Sequence, residues 1–326
     1  MKEHVMRRAA AVIVAAALLG GSAEALFQRK TDQQAAEGAP TVQDLEIQTY
    51  RDLPIQGRLP AAAGEGELTY ALAEEPGKGT VALEGDAFTY TPEEGITGTD
   101  RFTYTVSDSQ GRTSAPATVT VRIEKPRSGV RYSDTQGSPA AAAAQYLAEA
   151  GIFTGTKVGE QYRFEPDRPV TREEFLAMVL ETADREVPQA TMTGFCDDAS
   201  IPAWSKSYAA AGVAEGLVQG RSTAQGAAFQ GEEPITLTQA ATMLNRALAL
   251  GDVDLDVWFA DRAAAPSWAA QAVGNMEALS VLSVGSFGGE GLEQPVTRAD
   301  AARMLWAADV LMAGEAPESG LLSWLR

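Results

Sequence analysis

Val170–Leu180 reads VTREEFLAMVL, Ile235–Leu244 reads ITLTQAATML, and Val296–Leu305 reads VTRADAARML. An internal repeat constrains a fold before any single element does, so these three segments decide how the C-terminal part of the chain is read. Their threonines, Thr171, Thr236 and Thr297, lie 65 and 61 residues apart. Each threonine is placed to open a helix. A threonine N-cap accepts a hydrogen bond from the third helical amide, and an acid or amide three residues on reaches back to the cap. Thr171/Glu174 and Thr236/Gln239 fit this box, and Thr297/Asp300 fits it less well. Phe175, Met178 and Val179, like Met243, Leu244 and Ala247, fall at helical spacing and mark core-facing stripes.

Three openings precede these helices: Tyr132-Ser133-Asp134, Phe195-Cys196-Asp197 and Phe259-Ala260-Asp261, their aspartates 63 and 64 residues apart. An alanine-rich helical stretch follows each. It carries Trp204 and Trp268 seven residues after the aspartate in two units and Ala141 in the first. Then come AGIFTG (150–155), EGLVQG (215–220) and a degraded LSVLSVG (279–285). The succession of aromatic-x-Asp, Trp, paired glycines, Phe-x-Pro and Thr-Arg-x-acid resembles the S-layer homology repeat, three times over, at 131–187, 193–250 and 256–313. The resemblance implies an all-α pseudo-threefold bundle. It also implies an anchor to the bacterial cell wall, whose ligand is a secondary polymer bearing an acidic pyruvyl ketal on an amino sugar, or peptidoglycan itself. The polymer-binding residues it implies are Arg172, Arg298, Asp134, Asp197, Asp261, Gly155, Gly220, Trp204 and Trp268.

Physical chemistry separates these residues. The threonine and the acid are accounted for by the cap, worth on the order of 1 kcal/mol. Arginine just inside a helix start opposes the macrodipole by about 0.3–1 kcal/mol when exposed, so Arg172 and Arg298 call for another reason. Free helix amides beside a guanidinium fork make an anion site. The alternative is that each arginine pairs with a carboxylate of a neighbouring helix. Leu237 stands where the second unit should have its arginine, and Val284 replaces a glycine in the third. At most two working grooves are therefore expected, the better around Arg172. Trp204 and Trp268 read as core wedges in preference to sugar platforms. The three aspartates either cap a helix or line the groove. Ser205-Lys206 reads as surface, not as a catalytic dyad, and Cys196 as a buried small hydrophobe.

Upstream, the period changes to two. In DRFTYTVSD (100–108), Phe102, Tyr104 and Val106 alternate with Arg101, Thr103 and Thr105, and TVTVRI (118–123) repeats the pattern. Turn residues at Gly85-Asp86 and Ser107–Gly111 separate such strands, which argues for an antiparallel sandwich. Residues 41–124 resemble the cadherin-like and immunoglobulin-like repeats of bacterial surface proteins. Asp100 and Asp108 fall short of the six to eight oxygens calcium takes and read as strand and turn residues. The fold class expected is multidomain: an all-β immunoglobulin/cadherin-like sandwich, a hinge at 125–130, then the all-α bundle.

The N-terminus has Lys2, Arg7 and Arg8, the apolar run Ala9–Leu19 and the small-x-small Ala23-Glu24-Ala25. This reads as a signal peptide over 1–25, followed by a polar linker over 26–40. Cleavage would take the net charge from −18 to −19 and remove His4, the one histidine. Histidine-based catalysis and metal ligation are then excluded, and one cysteine forbids an internal disulfide. The acidic balance argues against nucleic acid. No metal or cofactor is expected, and the chain leaves no room for a catalytic domain. The expectation is a non-enzymatic, extracellular, wall-anchored protein with the β-domain as spacer or adhesive module and 314–326 as a tail. A lattice protein assembling with other surface proteins is the alternative, and a wall-modifying hydrolase the remoter one.

Overall fold

The computed structural model describes residues 38–62, 64–253, 255, 265–279, 281–282 and 291–312. The expected signal peptide, most of the linker, Asp261, Val284 and the tail lie outside the described residues.

The N-terminal part is a β-sandwich. Its strands are β1 (Thr41–Val42), β2 (Leu45–Tyr50), β3 (Ile55–Arg58), β4 (Ala61–Ala62), β5 (Thr69–Glu74), β6 (Gly79–Glu84), β7 (Ala87–Pro92), β8 (Gly98–Ser107) and β9 (Ala117–Glu124). One sheet has the order β2-β9-β8-β5, the facing sheet β3-β7-β6, and β1 pairs with β4. The alternation in β8 turns Phe102, Tyr104 and Val106 into the core against Phe88, Tyr90 and Val119, all buried. Phe88 and Phe102 meet edge to face at 5.6 Å. The sandwich is not wholly antiparallel, because β2 runs parallel to β9. Parallel neighbours need a long crossover, and here the whole intervening domain supplies it. Asp100 accepts from the amides of Gly77, Lys78 and Arg101 and from the Tyr90 hydroxyl. Asp108 accepts from the amides of Gln110 and Arg112 and the Arg112 guanidinium. Both carboxylates are consumed in tying loops to the sheet.

The connection to the repeats is clamped. Glu149 accepts from the amides of Arg127 and Ser128, the Ser128 hydroxyl and the Gln145 amide nitrogen, at 2.6–2.9 Å.

The repeat region holds six helices among the described residues: α1 (Ala141–Ala150), α2 (Arg172–Thr182), α3 (Ala203–Ala214), α4 (Leu237–Ala247), α5 (Ala270–Ala278) and α6 (Arg298–Met312). It is not the all-α bundle that the repeat resemblance implied. Two short antiparallel hairpins stand between helices: β10 (Thr156–Val158) with β11 (Gln161–Arg163), and β12 (Arg221–Thr223) with β13 (Gly226–Ala228). Three residues per strand give little alternation to read, which is why the sequence pattern hid them. Glycine makes them possible. Gly155 has φ +69, and a Cβ there would sit 2.3 Å from the Arg163 carbonyl oxygen; at Gly220, φ +74, it would meet the Phe195 ring at 2.7 Å.

The helices interlock between units. α1 packs on α6, α2 on α3 and α4 on α5, while α2 also contacts α4 and α6. At the centre, the residues before the three helix-opening threonines close a ring. The Val170 amide donates to Val296 O, the Val296 amide to Ile235 O, and the Ile235 amide to Val170 O, each at 2.9 Å. All three side chains are buried. The α1–α6 contact that joins the first unit to the last is a stacked Tyr146–Trp306 pair at 4.8 Å, with the Tyr146 hydroxyl donating to Asp309 at 2.7 Å.

Two stability predictions arise here. Tyr146→Phe should lower unfolding free energy by about 1.5–3 kcal/mol, the range for a hydrogen bond to a charged group. An unchanged urea midpoint would contradict the closure role. Glu277, buried in α5, has its pKa pushed up to about 7 by burial. Unfolded, it titrates at about 4.3. Stability is therefore lost as pH rises from about 4 to about 7, and above that the loss reaches up to about 4 kcal/mol. Glu277→Gln should be more stable than the parent at about pH 8 and equal to it at about pH 4; a pH-independent difference would contradict this.

Candidate functional site

The ring fixes what stands at each helix start. The first two amides of α2 (Arg172, Glu173) donate to Glu233 O and Gly231 O of the second unit. Those of α4 donate to Gln294 O and Leu292 O of the third unit, and those of α6 to Arg168 O and Pro166 O of the first. The third amide of each goes to its N-cap threonine: Glu174 to Thr171, Gln239 to Thr236, Asp300 to Thr297. Thr297/Asp300 is a full reciprocal box, with the Thr297 amide returning to Asp300 at 3.3 Å. So the free amides expected of an anion-binding helix start are absent from all three helices. Any anion must be held by side chains.

The same geometry makes the grooves lie between units. Arg298 of the third unit enters the first, under Phe153 (4.9 Å to the ring) and beside Phe164 O (2.9 Å). It pairs with Glu165 at 3.0 Å and lies 3.6 Å from Glu174. Arg168 pairs with the same two acids at 3.5 and 3.1 Å. Arg298 is 4% exposed, and its four-charge cluster sums to zero. Here the sequence's alternative, an arginine paired inside the bundle, is what is found.

Arg172 of the first unit enters the second, 5.8 Å from the ring of Phe229, the counterpart of Phe164, since Val218 stands where the first unit has Phe153. The residues matching Glu165 and Glu174 are Gln230 and Gln239, both neutral. The Arg172 guanidinium makes no ion pair or hydrogen bond among the described residues, and its Nε is buried without a partner. The Gln230 side-chain oxygen is likewise buried and unpartnered. Burial, then the nearby Arg221 and Arg246, lower the Arg172 pKa to about 10, with Glu233 opposing. At neutral pH it remains a cation in surroundings that disfavour one. The sequence reading missed Arg221, Arg246 and Gln230 and gave Gln239 a capping role alone; comparing RFEP (163–166) with AFQG (228–231) carries part of that signal.

In the third groove Leu237 is 8% exposed and takes the arginine's place. It lines a cleft of about 820 Å³ with Gln294, Pro295 and Met304, opposite Arg58, Leu83 and Phe88 of the β3-β7-β6 sheet.

The remaining predicted residues take structural positions. Asp134 accepts from the amides of Phe164 and Glu165, each at 2.9 Å, and Asp197 from those of Phe229 and Gln230 at 2.8 Å. Each carboxylate thereby shapes the loop that lines its groove instead of capping a helix. Gly155 and Gly220 hold the hairpins. Trp204 and Trp268 are 50% and 59% exposed, which overturns the reading as core wedges. Trp204 meets Tyr208 at 6.3 Å. Ala141, at the matching place in the first unit, is buried. Ser205 is buried rather than at the surface, Lys206 pairs with Asp198 at 2.6 Å, and Cys196 is exposed rather than buried. No group of acidic, cysteine or histidine side chains among the described residues is arranged to hold a metal ion. None of the described helices is long and apolar enough to cross a membrane.

Comparison with known proteins gives two family matches: the bacterial Ig domain over residues 37–122 and the S-layer homology domain over residues 131–176. No characterised relative matches the chain in sequence. Among solved structures, the endo-fucoidan hydrolase MfFcnA4 of glycoside hydrolase family 107 is similar at 15% identity, covering 36% of this chain but 17% of its own, with a TM-score of 0.25. The fibronectin(III)-like modules of Clostridium thermocellum CbhA are similar at 12% identity, over 27% of this chain and 99% of theirs, with a TM-score of 0.18. Likenesses this partial carry no argument about activity. The S-layer homology match supports association with the cell surface or cell wall. The chain carries a bacterial Ig domain followed by an S-layer homology domain.

Proposed function

We propose that the protein is a non-enzymatic surface protein anchored non-covalently to the cell wall by three S-layer homology repeats, at 131–187, 193–250 and 256–313. Its ligand would be an acidic secondary wall polymer whose pyruvyl carboxylate is taken by Arg172. The residues at 1–25 would export it, and the Ig domain would project as a spacer or adhesive module. One observation carries the polymer reading. Arg172 is a largely enclosed guanidinium with no ion pair or hydrogen bond among the described residues and only the more distant Glu233 as favourable charge, in a groove where Gln230 and Gln239 stand in place of the acids that pair Arg298. A carboxylate entering there would gain charge-assisted hydrogen bonds and relieve the repulsion from Arg221 and Arg246. Phe229 beneath and Gln230 beside would supply a ring face and an unpartnered acceptor for a sugar hydroxyl. The net charge of −18 opposes an anionic polymer at long range, so attachment would depend on this local site and not on bulk attraction.

A second reading, assembly with other surface proteins, is favoured by the exposed Trp204 and Trp268, since large exposed aromatics on a small domain suit protein contacts.

The two arginines are expected to behave differently. Arg172→Ala should weaken co-sedimentation with purified walls by about 10- to 100-fold, the loss of one or two charge-assisted bonds, with the melting temperature unchanged. Arg298→Ala should lower the melting temperature, since it removes the buried donor to Phe164 O and leaves Arg168 alone to balance Glu165 and Glu174. Extraction of the acidic polymer should abolish binding by the parent. Equal sedimentation of Arg172→Ala and parent would overturn the polymer site. Sedimentation surviving extraction would move the reading toward protein–protein assembly.

A further inference from the structure

We infer that Glu165 is an internal anion that closes the Arg298 groove. Among the described residues there is then one ligand-accepting groove, at Arg172, and a second, latent one for the same class of carboxylate-bearing sugar. This rests on the reading of Arg172 as the polymer site.

The argument compares two equivalent places in one molecule. Arg172 and Arg298 each stand first in a helix whose opening amides donate to the adjoining unit, and each lies at an aromatic ring of that unit. The arginines and the caps are shared, whereas the rings differ: Arg298 lies at Phe153, whose counterpart is Val218, and Arg172 at Phe229, the counterpart of Phe164. The charged lining differs at three places: Glu165, Arg168 and Glu174 around Arg298 are matched by Gln230, Glu233 and Gln239 around Arg172, and of these Glu165 makes the shortest pair with the arginine. Glu165 and Gln230 both sit at positive φ, +56 and +54, with their amides on the groove aspartate, so the backbone delivers either side chain to the same place. Glu165 reaches Arg298 at 3.0 Å, whereas Gln230 leaves Arg172 unpaired. A carboxylate tethered at ion-pair distance competes with a polymer carboxylate at an effective concentration on the order of millimolar or more. It also brings the guanidinium the charge that the polymer would bring. Glu165 is 40% exposed on its side chain, so the pair lies where an incoming sugar would have to dislodge it. Glu174 reinforces the closure from the α2 cap at 3.6 Å.

The test exchanges the two residues in the full-length chain. The probe is a soluble pyruvylated amino-sugar glycoside, its binding read by calorimetry or by ligand-observed NMR. Gln230→Glu should install the internal anion in the open groove and weaken binding by about 10- to 100-fold, as Arg172→Ala does. Glu165→Gln in the Arg172→Ala background should restore binding to within about tenfold of the parent, and adding Arg298→Ala should remove it again. Thermal melts report folding. If the Glu165→Gln variant melts early, Gln230→Glu decides alone. Parent-like binding by Gln230→Glu would overturn the inference, and so would a folded Glu165→Gln/Arg172→Ala protein that binds no better than Arg172→Ala. If Arg172→Ala itself binds as the parent does, the polymer-site reading falls first, and with it the basis of this one.

Discussion

Three backbone hydrogen bonds, Val170 to Val296, Val296 to Ile235 and Ile235 to Val170, form a closed ring in the buried centre of the repeats, and the other features of the region depend on it. A ring has no edge. No unit can leave without stranding a buried donor in one neighbour and a buried acceptor in the other, each costing about 1–3 kcal/mol. The same registration brings each helix start against the loop of the adjoining unit, satisfying the amides that a helix leaves open. It also sends each first-turn side chain into a neighbour's groove. Fold and site are thus set by one constraint.

That constraint explains why three copies of a motif can have three fates. Every first-turn position is delivered to an equivalent groove, and what happens there depends on a few side chains. At Arg298 two glutamates neutralise the cation. At Arg172 two glutamines leave it unpaired. At the third groove the first helical position is the uncharged Leu237, and the groove opens toward the Ig-domain sheet across a cleft of about 820 Å³. Conserving the backbone frame lets charge be edited one residue at a time, because the frame is held by main-chain bonds and by the loop-shaping Asp134 and Asp197 rather than by the groove side chains.

Much of this was legible in the sequence. Thr171, Thr236 and Thr297 cap helices, the stripe from Phe175 to Val179 is buried, and the alternation in β8 points Phe102, Tyr104 and Val106 inward. Other features needed the fold. The hairpins were missed because three-residue strands carry no readable period, and their glycines were read as part of the polymer-binding motif. The parallel β2–β9 pair joins the two ends of the domain, which local pattern cannot report. The partners of the arginines were out of reach for the same reason: Arg298 meets Glu165 across 133 residues, and nothing in a motif says that a side chain belongs to the next unit's groove. Trp204 and Trp268 misled because burial was inferred from alanine neighbours, whereas Trp204 stands exposed in the first turn of α3 and Trp268 exposed in the turn before α5. Glu165 and Gln230 drew no notice, since within one repeat either is an ordinary loop residue. Only the side-by-side comparison of grooves gives them weight.

The most direct test of the account is a crystal structure of the protein soaked with a pyruvylated amino-sugar glycoside. The account predicts the ketal carboxylate on the Arg172 guanidinium, the sugar ring over Phe229, and the Arg298–Glu165 pair undisturbed at its 3.0 Å separation. A sugar bound instead at Arg298 with Glu165 turned away, while the Arg172 groove stays empty, would contradict it.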